Sequence, residues 1–293
     1  MLADIIRDKI KNESKTHISI SWFGGEPLLK ARELLAFNEE ILQMTSEYNV
    51  QFHSSITTNG VLLNKNILQS LCDTGVKTYQ ITLDGFAHDT MRVFKDGSGS
   101  FSIIHKNIMS MLESNLDFKL ILRVNISAEK FDYSFYDLFR KYANDTRLEV
   151  LPFPIGQFGE KQTEVKLLDK DDEVEIEIRK HDSYLSSLGF TTFYSRSKGI
   201  LSRSCYASSP GAFVIRANGN IAKCTVALDL DSNNIGQLDI INKCMVINKE
   251  RERIWSDNPL TEKCKQCRKL CTCHNRSCPL KKIKDISERA CGQ

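Results

Sequence analysis

Five thiols and an imidazole fall within fifteen residues, at Cys264, Cys267, Cys271, Cys273, His274 and Cys278. Thiolates packed this densely in a reducing compartment are metal ligands first. The x2 and x3 steps from Cys264 to Cys267 to Cys271 let one loop wrap a single centre. Nine of the ten cysteines lie between Cys205 and Cys291, and only Cys72 lies earlier. On spacing alone, a four-thiolate zinc knuckle is the ordinary reading. Cys72 sits on an apolar helical face and reads as a core thiol, and His274 as a surface residue.

A second set of chemistry-bearing residues recurs where predicted strands end. Trp22-Phe23-Gly24-Gly25-Glu26-Pro27 offers a glycine backbone that can approach a ligand, a carboxylate and a stiff exit. Carbonyls with a carboxylate suit an ammonium group; the plain alternative is a tight turn with a solvated glutamate. Thr58 and Asn59 suit a ribose or an amide, or are only turn chemistry. Asp84 before Gly85 suits a hydroxyl, or is an Asp-Gly turn. Arg123, alternating with Asn125 on an apolar strand, suits a carboxylate bound bidentately, or a salt bridge at a barrel mouth. Together they fit a zwitterionic amino acid carrying a ribose.

The elements that must position these groups alternate. Strands are expected at 17–23, 51–58, 78–83, 119–126 and 147–153. Helices are expected at 1–14, 28–48, 64–73, 101–114, 131–144 and 169–188, with Asn64 as a cap. This order demands parallel strands with crossover helices, in an α/β barrel or a doubly wound sheet. In either, ligands gather at the carboxyl ends of strands. Beyond residue 190 the periodicity becomes short and irregular. A hairpin is expected around Asn218-Gly219, helices at 245–255 and 280–290, and a domain boundary dividing 1–190 from 191–293. The chain is 41% hydrophobic and 26% charged with net charge +3. It can build a core, and its charge argues for neither nucleic acid nor a membrane surface as partner. With no spanning run and no signal-peptide layout, it reads as cytoplasmic.

The segments WFGGEPLL (22–29), SITTNG (55–60), QITLDG followed by His88 and Arg92 (80–92), and RVNI (123–126) resemble the core of the radical SAM superfamily. The resemblance runs over nearly the entire chain. It implies a partial (β/α)6 TIM-type barrel missing its first strand, with S-adenosylmethionine bound at Gly24, Gly25, Glu26, Thr58, Asn59, Asp84 and Arg123. The tail resembles the small cysteine-rich SPASM domain that follows such barrels. That resemblance replaces the zinc reading with two auxiliary [4Fe–4S] clusters. Cys205, Cys224 and Cys278 would hold the first, with Cys271 or Cys244 as candidate fourth ligand or an iron open to a substrate thiolate. Cys264, Cys267, Cys273 and Cys291 would hold the second.

Radical SAM enzymes make their radical at a cluster held by a CX3CX2C loop ahead of the Gly-Gly-Glu turn, and this sequence has no cysteine before Cys72. The expectation is a fragment, a misassigned start or a remnant, with weakened cofactor binding and no radical generation by these residues alone. The expected function is a radical SAM/SPASM peptide maturase that crosslinks a ribosomal peptide. Its partners would be a peptide or protein substrate and, if catalytic, an electron donor such as flavodoxin or ferredoxin. An anaerobic sulfatase maturase is the alternative, weakened because Thr225 stands where those enzymes carry an acidic residue. A non-catalytic peptide-binding scaffold and a zinc-binding module are the alternatives from other classes.

Overall fold

A computed structural model describes residues 1–156, 165–168, 170–192, 205–227, 230–256, 265–266 and 279. The chain divides into two compact units: among the described residues, 6–155 and 165–192 form one, and 1–5, 156 and those from 205 onward belong to the other.

The larger unit carries five parallel strands: β1 (His17–Trp22), β2 (Gln51–Thr58), β3 (Val76–Thr82), β4 (Lys119–Ile126) and β5 (Leu148–Pro154). They lie in the order β1-β2-β3-β4-β5. A doubly wound sheet reverses its strand order at a switch point. This sheet never does, so the fold is the sequentially wound wall of a TIM-type barrel. Its helices are α1 (Leu2–Glu13), α2 (Ala31–Glu47), α3 (Lys65–Asp73), α4 (His88–Met91), α5 (Phe101–Glu113) and α6 (Asp171–Ser187). Asn64 caps α3 as expected, accepting from the N–H groups of Asn66 and Ile67. Two expected helical stretches are wound more tightly, as 3-10 segments at Pro27–Lys30 and Tyr133–Tyr142.

The helix-facing side of the sheet is apolar. Ile56, Tyr79, Ile81, Leu120, Leu122, Val124 and Val150 are buried there with Leu34, Leu68, Ile108, Phe135 and Phe139. Burying such side chains is worth about 1.5–3 kcal/mol each. One buried amide joins two strands to a helix: Asn38 of α2 accepts from Trp22 Nε1 at 3.0 Å and donates to Ser54 Oγ at 3.1 Å. The opposite face is polar. Ser21 and Ser55 hydroxyls meet at 2.8 Å, His53 Nε2 lies 3.3 Å from Thr78 Oγ1, and Lys119 pairs with Glu149 at 3.1 Å. A closed TIM barrel fills this space with apolar layers; here it is lined for a polar occupant.

In the smaller unit, β6 (Val214–Ile215), β7 (Asn220–Ala222), β8 (Asn234–Asp239) and β9 (Cys244–Ile247) form an antiparallel sheet in sequential order. The β6–β7 turn falls at Asn218-Gly219, as the sequence predicts. The helix expected at 245–255 is instead strand β9 followed by α7 (Lys249–Ser256). The alternation of Met245 and Ile247 against β8 wins over helical propensity. Trp255 is fully buried beside Ala207, Ile221, Cys224 and Ile235, and its Nε1 donates to Ser232 O at 2.9 Å. The helix expected at 280–290 lies outside the described residues. No helix among the described residues is long and apolar enough to cross a membrane.

Candidate functional site

Parallel strands bring all five carboxyl ends to one edge, and the residues singled out at strand ends meet there. At the end of β1, Gly24 and Gly25 have φ of 100° and 53°, and a side chain at either would meet nothing within 4 Å. The left-handed backbone explains why glycine stands here, and the open space leaves its N–H and C=O groups accessible.

Glu26 is turned away from that space. Its Oε1 accepts from Leu28 N at 3.0 Å and Thr58 Oγ1 at 2.7 Å, and its Oε2 from Asn59 N at 2.7 Å. Three of roughly four lone-pair sites on the carboxylate are thereby used. The side chain is a strut fastening the β1 turn to the end of β2. A ligand ammonium would find mainly the backbone of the turn. Thr58, itself buried, also accepts from Gly60 N at 3.1 Å, and Asn59 Oδ1 accepts from Val61 N at 2.9 Å. Asn107 of α5 donates to the carbonyls of both Gly60 and Val61. The Thr58-Asn59 loop is therefore held from two sides.

Asp84 is buried beyond β3. Its Oδ1 accepts from Asn125 N at 2.9 Å and its Oδ2 from Arg92 Nε at 2.8 Å. Arg123 Nε donates to Asn125 Oδ1 at 2.8 Å, and its guanidinium lies 4.3 Å from the centre of the Phe153 ring. Burial lowers the Arg123 pKa, and the neighbouring Asp84 carboxylate partly restores it. Arg92 is paired with Asp84, Arg123 feels that carboxylate from farther away, and both guanidinium groups keep outer nitrogens for a ligand. That suits the carboxylate of an amino acid.

The segment between Asp84 and α5 locks itself. His88 is fully buried, and Asp84 N donates to its Nδ1. Nε2–H then donates to Ser100 Oγ at 3.1 Å, which passes its own proton to Arg92 O. Burial lowers the His88 pKa, consistent with this neutral tautomer. Asp89 Oδ1 accepts from Ser100 N at 2.7 Å and Phe101 N at 2.8 Å at the start of α5. A Cβ on Gly99 would overlap the Asp89 carboxylate. Together these contacts aim Arg92 at Asp84. His88 and Arg92 were legible only as followers of the LDG segment; their coupling through Ser100 and Asp89 was not.

Of the seven expected cluster ligands, Cys205 and Cys224 are described, both in the smaller unit. Cys264, Cys267, Cys273, Cys278 and Cys291 lie outside the described residues, as do Cys271 and His274. Among the described residues, no three His, Cys, Asp or Glu side chains gather closely enough to hold a metal ion. Cys72 is half-buried with its thiol 3.3 Å from Tyr79 Oη, and burial raises its pKa, as for a core thiol.

The frame around Cys205 and Cys224 is rigid. Asn233 accepts from the N–H groups of Lys223 and Cys224 and donates to the carbonyls of Cys224 and Ala227. Tyr206, next to Cys205, shares a 2.8 Å hydroxyl contact with Thr225 and accepts from Thr225 N. Burial raises the Tyr206 pKa against the opposing Thr225 hydrogen bonds, and Cys205 packs against the same small core as Cys224. Lys223 is fully buried, and desolvation lowers its pKa. Sequence reasoning missed Lys223, Asn233 and Tyr206. The one available signal was a lysine directly before a ligand-type cysteine.

The donor sets can be tested against the groups they would hold. Accessible backbone at Gly24-Gly25 and two guanidinium groups fit an α-amino acid's ammonium and carboxylate. Two free thiols on one small core, their backbone held by Asn233, fit ligands of a thiolate-bound centre.

Residues 2–122 match the family model described as the radical SAM superfamily. No curated protein matches the chain. Among solved structures, the chain is similar to native anSMEcpe with bound AdoMet and Cp18Cys peptide, with a TM-score of 0.66 at 18% identity over 93% of this chain and 78% of that one. It is similar to Streptococcus suis SuiB bound to S-adenosylmethionine, with a TM-score of 0.56 at 18% identity over 100% and 69% of the two chains. SuiB bound to precursor peptide SuiA gives a TM-score of 0.55, also at 18% identity, over 100% and 68%. At such identities the likeness concerns the fold.

Proposed function

We propose that this chain, a member of the radical SAM superfamily through its barrel unit, belongs to a peptide-modifying maturase. The observation that carries the reading is the polar inner face ending in an accessible glycine turn and a two-arginine mouth. The fold is similar to that of one structure with bound AdoMet and a peptide and of another bound to a precursor peptide.

When bound, S-adenosylmethionine would supply a carbon radical able to abstract hydrogen. The residues of this chain bind and orient. The Gly24-Gly25 backbone receives the ammonium, and Glu26 holds that turn against Thr58 and Asn59. Arg123, steadied by Asn125 and Phe153, takes the carboxylate, and Asp84 keeps Arg92 and Arg123 from repelling each other. Cys205, Cys224 and Cys278 would hold one auxiliary [4Fe–4S] cluster, and Cys264, Cys267, Cys273 and Cys291 the other. A peptide is the substrate, and a flavodoxin or ferredoxin supplies electrons if the assembled enzyme turns over.

The alternative is an anaerobic sulfatase maturase-like protein, favoured by the higher fold similarity to anSMEcpe. Thr225 weighs against it, because its hydroxyl is bonded to Tyr206 and is no carboxylate proton acceptor. A formylglycine product from a Ser or Cys peptide would support this alternative, and a crosslinked peptide the leading one.

Anaerobic purification tests the cluster assignment. The expected protein is brown, absorbs broadly near ~400 nm and carries roughly eight irons, as two [4Fe–4S] clusters require. A colourless protein with tightly bound zinc overturns it. Residues 1–293 contain no cysteine before Cys72. Reconstituted as such, they should bind AdoMet weakly and form no 5′-deoxyadenosine; detecting that product refutes the expectation.

A further inference from the structure

The segment that leaves β4 and one face of α6 enclose a groove. Its main cavity, about 1110 Å³, lies between residues 127–134 and the part of α6 that carries Glu173, Ile176, Lys180 and Tyr184. An adjoining hollow of about 630 Å³ continues along α6 to Ser187. From Glu173 to Ser187 the helix runs about 21 Å, the length of roughly six extended residues. A hollow of that length suits a chain segment better than a compact small molecule.

The lining is aromatic and acidic. The rings of Tyr133 and Tyr184 lie 5.8 Å apart at 31° to one another, and Ile176 is exposed beside them. Four carboxylates line the groove, Glu129, Asp132, Glu173 and Glu177, against Lys130, Arg179 and Lys180. Two of those cations are spent, Lys180 on Glu177 at 2.9 Å and Arg179 on Glu175. Lys170 stands 3.8 Å from Glu173, an exposed pair of little strength. His181, behind the wall, adds no charge, since burial keeps it neutral at pH 7. Glu129, Asp132 and Glu173 are left against Lys130, beside two aromatic rings. Such surroundings suit a guanidinium or ammonium group. The groove also lies within reach of the mouth. Ser127 directly follows β4, four residues past Arg123, or about 13 Å along the chain.

We propose that this groove holds a basic side chain of the peptide substrate, a lysine or arginine about four residues from the residue modified at the mouth. This rests on the peptide-maturase reading above. The groove residues bind and position the peptide and touch no reacting atom.

The test needs neither cofactor nor turnover. The probe is a fluorescein-labelled Gly-Ser dodecapeptide with two central arginines, read by anisotropy against the full chain. The control peptide carries glutamines in their place. The arginine peptide should bind, the glutamine peptide should not, and affinity should fall as salt rises. Glu129→Lys with Glu173→Lys should weaken binding about tenfold, each reversal counting for about threefold. Glu39→Lys with Glu47→Lys, an equal change of net charge on α2, should not. Tyr184→Ala should weaken binding about threefold through the lost ring, and Tyr184→Phe, which keeps the ring, should retain it. Urea unfolding of each variant checks that it folds. Equal binding of both peptides, no binding at millimolar protein, a groove reversal that binds as wild type, or an α2 reversal that weakens binding as much overturns the groove. Protein that takes up zinc and no iron overturns the maturase reading, and with it the substrate role. Lost peptide selectivity in iron-loaded protein overturns the groove alone.

Discussion

Replacing Glu26 distinguishes a strut from a ligand. Its carboxylate accepts from Thr58 Oγ1, Leu28 N and Asn59 N at 2.7, 3.0 and 2.7 Å. Thr58 is buried, so losing its charged acceptor costs about 1.5–3 kcal/mol. The other two donors lie nearer water and regain part of what they lose, adding about 0.5 kcal/mol each. Glu26→Ala should therefore destabilise the cofactor-free protein by roughly 2.5–4 kcal/mol. Glu26→Gln is the sharper variant. Its amide can satisfy one side of the strut only by turning an NH2 toward another donor, which should cost about 1–2 kcal/mol despite the conserved shape. Urea unfolding, read through Trp22 in the barrel unit and Trp255 in the other, measures this without any cofactor. Thr58→Val should remove most of the Glu26→Gln penalty, because the two side chains share the interaction. If Glu26→Gln unfolds within about 0.5 kcal/mol of wild type yet loses AdoMet affinity, the strut argument is wrong and the carboxylate serves the ligand directly.

The remaining predictions concern neighbouring parts of the fold. His181 is fully buried, its Nδ1 2.6 Å from Tyr136 Oη, and burial lowers its pKa to about 4. Between that value and about 6.5 the unfolded chain binds the proton and the folded one does not, so stability falls as pH drops through this window, by about 3 kcal/mol in all. His181→Gln should flatten that slope in urea titrations across pH 4–7, and an unchanged slope refutes the assignment. Gly99→Ala should cost roughly 1–3 kcal/mol by forcing the Asp89 carboxylate off the start of α5. Paired with Asp89→Ala it should add little to the single Asp89 variant, and strict additivity of the two would falsify the overlap.

How much was legible depended on whether a signal was local. The five strands were readable because each is a run with alternating or continuous apolar residues between turn pairs such as Asn59-Gly60 and Asp84-Gly85. The choice between barrel and doubly wound sheet came only through the family resemblance, because strand order is a property of pairing that no single segment carries. β9 was missed because Cys244–Ile247 is four residues long and runs into a charged helix. The residues singled out at strand ends do meet at one edge, but the hydrogen-bond partner of each was invisible in the sequence. Glu26 looked like a carboxylate awaiting a ligand, and only the register of β1 on β2 brings Thr58 and Asn59 to it. The burial of Lys223, directly after β7, had no signal in the sequence.

These misses share a cause that bears on the chemistry. At the barrel mouth the charged side chains are mostly spent on one another: Glu26 on β2, Asp84 on Arg92 and on Asn125 N, Arg123 Nε on Asn125. What remains for a ligand is backbone at Gly24-Gly25 and the outer nitrogens of two guanidinium groups. Such a mouth grips one end of a small zwitterion, and the polar wall below it offers hydroxyls, an imidazole and an ion pair. A site built this way discriminates by position rather than by strong charge contacts, since groups fixed by their neighbours need no reorganisation when a ligand arrives. Loosening any one strut should therefore be felt at the others, with Glu26→Gln shifting AdoMet affinity through the Gly24-Gly25 turn even though its own carboxylate is committed to Thr58 and Asn59.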